Sequence, residues 1–516
     1  MDEVGTVVLV SDLLRERALR HPETVALNID GVDGLSYGHW QRRTDRTAHG
    51  LLAAGVTRGQ RIGLLFDGMD WNDYAVAYLA VLSSGATAVH LSERLGRQEI
   101  LRRLTECEVR GIIHGEALRP PEGLADWTVT VADLDSGDES PVHVPVGAQD
   151  NADILYTSGT TGTAKAFTNP HGNLTFGRGP AGLQQFENPT PLLAPMPLGT
   201  TSSATTVAII AVTSPSALVL APVDDVERMA ELIVGHRTGS VMITPWIATR
   251  MLAARLGERH DLRCVERVAI ASAPLAPALS RALLELFPAA ELNTAYSQSE
   301  AVPAVVVNTF DPARPATLGR PAPGSRVRVA DESGTELPAG EVGEIQLRSA
   351  APRRRYLDPE RDAGALVDGW TRTGDLGSID QDGYLHLFDR GADVLRVNGE
   401  LLSSVAVESA LYEHPAVSEA ALVGVARPDG DDMATAVVVM TDPAALKELP
   451  GFLAERLPPS QVPAEILVRD RMPRGITGKP LKRVLREELA ELAEKRRDQG
   501  PSPRITPTAA QGTSPA

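Results

Sequence analysis

The stretch NADILYTSGTTGTAK, residues 151–165, is the part of this sequence that decides the fold. Its first six residues form a short, largely apolar run that predicts a strand. The remainder, TSGTTGTAK (157–165), is a loop of glycines and hydroxyl residues that ends in a lysine. Such a loop after a strand presents N–H groups and hydroxyls to a concave space, which suits phosphate oxygens. The spacing is not that of a Walker motif, because Ala166 follows Lys165. On composition alone, an ordinary flexible turn fits equally well.

The scarcity of lysine favours the phosphate interpretation. The only lysines are Lys165, Lys447, Lys479, Lys482 and Lys495, whereas arginine is abundant. Lys165 and Lys479 each lie beside a glycine-containing loop. A lysine kept at such a position indicates a site that needs a compact ammonium charge rather than a planar guanidinium.

Composition narrows the class of protein. The 516 residues exceed one ordinary domain, and 43% of them are hydrophobic, as in soluble globular proteins. The net charge of -17 argues against nucleic acid or an anionic membrane as the main partner. A phosphorylated ligand must therefore bind at a local site. Cys107 and Cys264 fit no metal spacing and are expected to be buried, reduced thiols.

The chain shows no targeting or membrane signal. Its first residues lack a basic segment and a cleavage site, so we expect no signal peptide. The longest apolar run, 205–223, is interrupted by Pro215 and by hydroxyl residues. It predicts a buried helix followed by a strand, not a membrane span. We therefore expect a soluble, cytoplasmic protein.

Alternation of strands and helices predicts an α/β fold. RIGLLF (61–66) precedes a helical pattern over 71–86, and a strand pattern over 265–272 precedes a helical one over 277–288. From about residue 320 apolar and polar residues alternate between Gly and Pro turns, which indicates antiparallel hairpins. The predicted organisation is an N-terminal domain (1–389), a hinge (390–393), a small α+β C-terminal domain (394–490) and a disordered tail (491–516).

Further motifs make the chain resemble the adenylate-forming superfamily, and its acyl-CoA synthetase branch in particular. TSGTTGTAK (157–165) resembles the phosphate loop of that superfamily. AYSQSE (295–300) is similar to its adenine-and-magnesium motif, and RTGDLGSIDQDGYLHLFDR (372–390) to its ribose motif. DVLRVNGELLSSVAVESAL (393–411) resembles the hairpin after the hinge, and PRGITGKPLKRVL (473–485) the loop of the catalytic lysine. The motifs occur in the family's order across nearly the whole chain.

The resemblance implies a fold and a reaction. The fold is a large N-terminal domain of layered α/β subdomains plus a β-barrel-like subdomain, followed by a small mobile C-terminal domain. The reaction joins a carboxylic acid to AMP with release of pyrophosphate, using ATP and Mg²⁺. A thiol, usually that of coenzyme A, then displaces AMP. Because an anion approaches a polyanion in the first step, catalysis must rest on positioning and charge neutralisation.

The resemblance also assigns roles to individual residues. The phosphates are assigned to Thr157, Ser158, Gly159, Thr160, Thr161, Gly162 and Lys165. Tyr296 is expected to stack on adenine, Ser299 to contact the α-phosphate region and Glu300 to hold Mg²⁺. Asp375 and Arg390 are assigned to the ribose, and Lys479 bridges the carboxylate and the α-phosphate. The remaining nucleotide and coenzyme A positions are Ser272, Ala273, Pro274, Ala295, Ser297, Leu387 and Gly399.

Simpler interpretations exist for some of these residues. Tyr296 also fits a core position, Glu300 a solvated charge, and Arg390 an ion pair with Asp389 or Asp393. Lys482 and Arg483 are predicted to be ordinary charges on a helix face. The ordered motifs favour the functional roles for the first three.

Several positions depart from the family pattern. Alanines flank Lys165, Ser297 replaces a glycine, Thr200 stands where a histidine or aromatic residue is common, and Ala392 occupies the hinge position. Two readings follow. Either the enzyme runs both half-reactions, which the intact Lys479 favours, or adenylation is weakened and a partner enzyme supplies the acyl-adenylate.

The acyl pocket is expected around Gly199, Thr200, Trp246, Ala271 and Val302. Its mostly small residues predict a bulky, mostly apolar acid, such as a polycyclic or terpenoid acid of an antibiotic pathway. No aspartate lies near residue 200 to bind an α-amino group, which disfavours amino acids. Delivery of the acyl group to a carrier protein or an amine, and a non-catalytic nucleotide-binding regulator, are the alternative functions. The sequence leaves the oligomeric state open.

Overall fold

The structure is a computed structural model that describes residues 8–498 apart from 122, 124, 158–163, 179–189, 214, 215, 428 and 429. Five of the predicted phosphate-loop residues, Ser158, Gly159, Thr160, Thr161 and Gly162, therefore lie outside the described residues. So does the part of the predicted tail that follows residue 498.

The described chain alternates strands and helices. In chain order the strands are β1 (Leu27–Ile29), β2 (Val32–Asp33), β3 (Arg61–Phe66), β4 (Thr87–Ser92), β5 (Gly111–His114), β6 (Trp127–Val129), β7 (Asn151–Tyr156), β8 (Ala166–Pro170), β9 (Leu192–Leu193), β10 (Leu218–Leu220), β11 (Ser240–Ile243), β12 (Arg267–Ile270), β13 (Glu291–Tyr296), β14 (Val306–Thr309), β15 (Thr317–Pro321), β16 (Ser325–Ala330), β17 (Gly343–Ser349), β18 (Arg355–Tyr356), β19 (Leu366–Val367), β20 (Trp370–Ile379), β21 (Leu385–Arg390), β22 (Leu395–Val397), β23 (Glu400–Leu402), β24 (Val417–Ala426), β25 (Asp432–Met440) and β26 (Glu465–Val468). The helices are α1 (Val10–Arg20), α2 (Tyr37–Ala53), α3 (Trp71–Ser83), α4 (Arg97–Glu106), α5 (His171–Leu174), α6 (Thr201–Thr205), α7 (Ala211–Thr213), α8 (Val226–His236), α9 (Pro245–Ala253), α10 (Pro277–Leu286), α11 (Pro359–Gly364), α12 (Ser404–Leu411), α13 (Leu449–Ala454) and α14 (Lys482–Asp498).

The first sheet carries the predicted phosphate loop at one end. Its strand order is β18-β8-β7-β4-β3-β5-β6, with parallel strands from β7 to β6 and an antiparallel edge of β8 and β18. The central strand β3 matches the predicted RIGLLF strand. Helix α3 is buried on all sides from Tyr74 to Ser83, in agreement with the almost wholly apolar sequence of that stretch.

The second sheet joins parallel and antiparallel portions. Parallel strands β9 to β13 form its centre, and antiparallel β14, β15, β21, β20, β17 and β16 extend one edge. The predicted hairpins after residue 320 are these antiparallel strands. The apolar run over 205–223 forms helical turns up to Thr213 and then β10, as predicted. Of the helices that the structure describes, none has both the length and the apolar character that a membrane crossing requires.

The C-terminal part folds around its own apolar core. Hairpin β22–β23, sheet β24–β25–β26 and helices α12 and α13 enclose one buried cluster. Leu485 and Leu489 of α14 are buried against the other face of that sheet, whereas Leu492 is 41% exposed. Helix α14 continues to Asp498, so residues 491–498 are helical although the sequence placed them in a disordered tail.

The prediction that Lys482 is an ordinary charge on a helix face is wrong. Its ammonium lies 2.6 Å from Glu408 and donates a 2.7 Å hydrogen bond to Ser404 Oγ. Burial opposes the charged form, but the carboxylates of Glu408, Asp393 and Asp389 outweigh it and raise the pKa of Lys482. Arg483, by contrast, pairs with Glu487 one turn along the exposed helix face, as predicted.

Polar contacts also hold the predicted hinge. Asp389 accepts hydrogen bonds from the backbone N–H of Ser404 at 2.5 Å and from its hydroxyl at 3.1 Å. Arg486 of α14 pairs with Asp393 and donates a 3.0 Å hydrogen bond to the carbonyl of Ala392. The small domain is thus tied to both ends of the segment on which it is expected to turn.

Candidate active site

The antiparallel pairing of β20 and β21 sets the first two site residues opposite each other. In that register Asp375 faces Arg390, and the guanidinium Nε lies 3.7 Å from Asp375 Oδ1. Asp375 is buried, and burial raises the pKa of its carboxyl, while Tyr296, Arg390 and Gln298 act in the opposite direction. The guanidinium of Arg390 therefore lies next to the Asp375 carboxylate in this structure.

Tyr296 reaches the same carboxylate from a different strand. It ends β13, and its hydroxyl donates a 2.8 Å hydrogen bond to Asp375 Oδ2. Gln298 Nε2 donates to the same oxygen at 3.0 Å and to the carbonyl of Thr373 at 2.6 Å. Leu387 packs against the same apolar cluster as Tyr296. The sequence did not single out Gln298, although its place within AYSQSE was a signal for it.

The loop after β13 is held by hydrogen bonds to its carbonyl groups. Ser297 Oγ closes the loop by donating to the carbonyl of Ala304 at 2.7 Å. Arg354, which is 4% exposed, donates to the carbonyl of Ser299 at 2.9 Å. Asn173 Nδ2 donates to the carbonyl of Val302 at 2.7 Å. Neither Arg354 nor Asn173 was predicted as a site residue from the sequence. For Arg354 the reason is that nothing in RRR (353–355) distinguishes a buried arginine from an exposed one.

Glu300, Tyr356 and Lys165 form a second group. The Tyr356 hydroxyl donates a hydrogen bond to Glu300 Oε1, and burial raises the pKa of that hydroxyl. The Lys165 ammonium lies 5.7 Å from the centre of the Tyr356 ring, a cation–π distance. Tyr356 is therefore a further site residue that the sequence did not reveal.

The two described ends of the glycine-rich loop pair with each other. The N–H of Thr157 donates to the carbonyl of Lys165 at 3.0 Å, and the N–H of Lys165 donates to Thr157 Oγ1 at 3.2 Å. These bonds extend the pairing of β7 with β8 by one residue. The loop between them is therefore closed at its base, with Lys165 beside Tyr356.

Lys479, a residue of the small domain, adds a positive charge to the candidate site. It follows a tight turn in which the N–H of Gly478 donates to the carbonyl of Gly475 at 2.9 Å. Burial and the charge of Arg390 lower the pKa of Lys479 to about 8, while Asp375 and Glu300 act to raise it. The turn before Lys479 packs against Trp246 of α9, which holds the lysine against the large domain.

Other predicted positions surround these groups less directly. Ser272 follows β12 with φ of +85°, a backbone angle that favours glycine, and Ala273 and Pro274 continue that turn. Ala295 is exposed on β13 beside Tyr296. Gly399 lies at the exposed turn between β22 and β23, where its N–H donates to Asp431 at 3.3 Å.

The predicted acyl-pocket residues have different local tasks. Thr200 Oγ1 accepts from the N–H of Ser203 and donates to the carbonyl of Pro197, so its hydroxyl caps α6. Gly199 packs so closely that a Cβ there would lie 2.1 Å from the carbonyl oxygen of Leu91. Trp246 lies in the first turn of α9, Ala271 follows β12, and the Val302 carbonyl is bound by Asn173.

The residues present suit a polyphosphate with a hard cation. Lys165, Lys479 and Arg390 supply positive charge in an otherwise acidic chain, and Glu300 supplies a carboxylate beside them. Within the described ranges no group of three or more His, Cys, Asp or Glu side chains is placed to hold a metal ion. A single carboxylate fits Mg²⁺ that keeps water and phosphate oxygens as its other ligands.

Comparison with known proteins identifies the family of this chain. The model of the AMP-binding enzyme family matches residues 14–357, and the model of the family's C-terminal domain matches residues 406–479. The chain belongs to the AMP-binding enzyme family. It is accordingly an ATP-dependent, AMP-forming ligase of the adenylate-forming superfamily, as its motifs predicted.

Relatives match this family member along almost their whole length. A feruloyl-CoA synthase from an Amycolatopsis species is 30% identical over 494 residues, which cover 92% of this chain and 97% of that protein. A 3-hydroxybenzoate–CoA ligase from Aromatoleum sp. strain CIB is 28% identical, over 89% and 93% of the two chains. ATP-bound MatB from Rhodopseudomonas palustris has a TM-score of 0.83 at 26% identity and covers 94% of this chain and 100% of its own. The predicted α/β fold with a large N-terminal and a smaller C-terminal domain is thereby confirmed.

Proposed function

We propose that this enzyme is an acyl-CoA ligase that activates a bulky, mostly apolar carboxylic acid as acyl-AMP and transfers it to coenzyme A. One observation carries the proposal: the turn of the small domain that precedes Lys479 packs against Trp246 of the large domain, and the charges of Arg390, Asp375 and Glu300 act on the pKa of that lysine. A site closed in this way places a cation where an acid and a polyphosphate have to meet. The similarity to a feruloyl-CoA synthase and to a 3-hydroxybenzoate–CoA ligase supports coenzyme A as the acceptor.

In the first half-reaction the protein positions two anions against each other. Asp375 and Arg390 bind the ribose, and Tyr296 provides the adenine with an aromatic face. Lys165 and the glycine-rich loop bind the outgoing pyrophosphate. Lys479 lies between the carboxylate and the α-phosphate and neutralises the charge that accumulates as the oxygen attacks phosphorus. Glu300 would hold Mg²⁺, which supplies further charge neutralisation on the phosphates.

In the second half-reaction the small domain turns about the hinge around Ala392. That motion withdraws Lys479 and brings the hairpin turn at Gly399 to the acyl-adenylate. Gly399 has φ of +78°, and among the described residues no atom lies within 4 Å of a Cβ built on it. The glycine therefore keeps a narrow turn that lets the pantetheine arm approach the backbone.

The acid is expected to be bulky because the residues of the expected pocket, apart from Trp246, have mostly small side chains. Thr200, whose hydroxyl is used to cap α6, presents no charged group to the acid. Ferulate and 3-hydroxybenzoate, the acids in the names of two relatives, are the first candidates, followed by long-chain, polycyclic and terpenoid acids.

Two assays on the purified full-length enzyme test the proposal. The first measures exchange of pyrophosphate into ATP with each acid of this panel, and the second measures thioester formation from coenzyme A and synthetic acyl-adenylates. Activity in both supports the proposal. Exchange without a CoA thioester points to a carrier protein or an amine as the acceptor. Thioester formation without exchange means that a partner enzyme supplies the acyl-adenylate. Nucleotide binding with neither activity would identify a regulator and refute the proposal.

A further inference from the structure

Trp246 contacts the turn that carries Lys479. Gly478 is buried with φ of +82°, and a Cβ built on it would lie 2.8 Å from Cε3 and 3.0 Å from Cδ2 of the indole. Helix α9 belongs to the large domain and the turn to the small one. The contact therefore exists only while the small domain holds Lys479 in the site.

Two arginines flank the same indole. The guanidinium carbon of Arg250 lies 4.9 Å from the ring centre, and that of Arg474 lies 5.8 Å from it. Arg474 also donates a hydrogen bond to the carbonyl of Gly478 and pairs with Glu419 of β24. The turn is thus fixed within the small domain by Arg474 and meets the large domain at Trp246.

We propose that Trp246 is the positioning residue that receives the Lys479 turn for adenylation. Lysine has a flexible four-carbon stem, so its ammonium is placed accurately only if the backbone at its base is fixed. The indole of Trp246 provides that fixed surface, because it contacts Gly478, the residue before Lys479. Trp246 also belongs to the expected acyl pocket, so an acid that displaces the indole prevents Lys479 from docking. The inference rests on the proposed function, because it concerns only the first of its half-reactions.

The expected effect follows from misplacement of a charged group. A shift of about 1 Å at a reacting centre costs about 10²-fold in rate. Trp246→Ala should therefore lower kcat for ATP–pyrophosphate exchange by about 10²-fold. In thioester formation from a synthetic acyl-adenylate, loss of a pocket side chain should raise KM for the acyl-adenylate, but kcat should fall far less than it does in exchange. Trp246→Phe, which keeps an aromatic surface, should restore most of the exchange. A merely structural role would reduce both half-reactions together.

A double-mutant cycle with Gly478→Ala tests the contact itself. In the wild-type background the new methyl group collides with the indole, and exchange should fall sharply. In the Trp246→Ala background the collision is absent, so the same substitution should cost far less. Gly324→Ala is the matched control for backbone strain, since Gly324 has φ of +80° and nothing within 4 Å of a Cβ. Trp370→Ala is the control for loss of an indole, since Arg328 and Arg348 flank that ring in a similar way.

The outcomes separate this inference from the proposed function. Wild-type enzyme that shows no exchange with any acid of the panel refutes the proposed function and the inference together. Normal exchange by wild-type enzyme, Trp246→Ala and Gly478→Ala overturns the inference alone. Additive losses in the double mutant, or equal losses in both half-reactions, also overturn it. A split between the half-reactions together with non-additivity supports it.

Discussion

The hydroxyl of Tyr296 donates a 2.8 Å hydrogen bond to Asp375 and so joins the end of the parallel portion of the second sheet to its antiparallel portion. The two residues are far apart in the sequence. Their bond, together with those from Gln298 and Arg390, fixes the carboxylate before a nucleotide arrives. Preorganised acceptors of this kind lose little free energy when the ligand binds.

Removal of the Tyr296 hydroxyl should weaken nucleotide binding. Tyr296→Phe keeps the ring but removes one hydrogen bond to an ionised group, which is worth about 1.5–3 kcal/mol. Because Gln298 and Arg390 still hold Asp375, we expect the lower end of that range, an increase of about tenfold in KM for ATP. Steady-state exchange kinetics measure it. Tyr384→Phe, on a ring stacked under Arg314 and Arg320, is the control, and an unchanged KM for ATP in Tyr296→Phe would contradict the assignment.

The pKa of Lys479 predicts how adenylation depends on pH. Burial and Arg390 lower that pKa to about 8, and only the protonated lysine neutralises the reacting anions. The value of kcat/KM for exchange should therefore fall as pH rises through about 8, whereas a lysine of ordinary pKa, about 10.4, would remain charged there. Thioester formation from acyl-adenylate should not show this decline.

Lys479→Ala provides the complementary measurement. It should abolish exchange at every pH and spare thioester formation, because the lysine leaves the site before the thiol enters. Equal loss of both half-reactions would refute the domain rotation. A wild-type exchange rate that stays level from about pH 7 to about pH 10 would show that Lys479 is not the titrating group.

Motifs and periodicity predicted most of the fold but not the polar contacts between distant segments. Local patterns place β3, α3 and the hairpins after residue 320, because these elements depend on apolar periodicity and turns. The order of motifs predicts that Asp375, Arg390, Glu300 and Lys479 share one site. Gln298, Tyr356 and Arg354 were missed because their roles arise from tertiary packing, which no local pattern encodes.

The contact of Lys482 with Glu408 is a tertiary contact that the sequence does indicate in part. Lys482, Leu485 and Leu489 follow helical spacing, so the lysine starts the same face that the two buried leucines continue. A lysine on a buried face requires a carboxylate partner, but the sequence does not say which one. Glu408 of α12 is found only once the fold brings the two helices together.

Breaking the Lys482–Glu408 pair by a single substitution should lower the stability of the fold, and replacing both partners should restore most of it. Lys482→Met leaves Glu408, whose side chain is 19% exposed, without its counter-charge and should lower the free energy of unfolding by less than the roughly 3–5 kcal/mol that breaking a fully buried pair costs. Replacing both partners, as Lys482→Met with Glu408→Leu, should recover most of that loss. Denaturant unfolding measures both, and Arg483→Met on the exposed face of the same helix is the control. A double variant as unstable as the single one would contradict a simple charge pair.

We expect Arg354 to affect the magnesium requirement of adenylation, because it fixes the loop that carries Glu300. Its guanidinium binds the carbonyl of Ser299 at 2.9 Å and Asn173 Oδ1 at 3.1 Å, so it fixes the loop that carries Glu300. Burial lowers the pKa of Arg354 to about 10, while the buried Asp153 acts to keep it charged. Arg354→Lys keeps a charge but loses the planar fork, which binds two acceptors at once.

We therefore expect Arg354→Lys to need several-fold more Mg²⁺ for half-maximal exchange, with a smaller change in thioester formation, which involves no polyphosphate. Arg355→Lys is the matched control, because the adjacent Arg355 side chain is 67% exposed and lies 3.7 Å from Asp362. Arg354→Met should in addition destabilise the fold, since the Ser299 carbonyl and Asn173 then lose a buried hydrogen-bond donor. Identical Mg²⁺ titrations of wild type and Arg354→Lys would show that Glu300 does not depend on this arginine for its position.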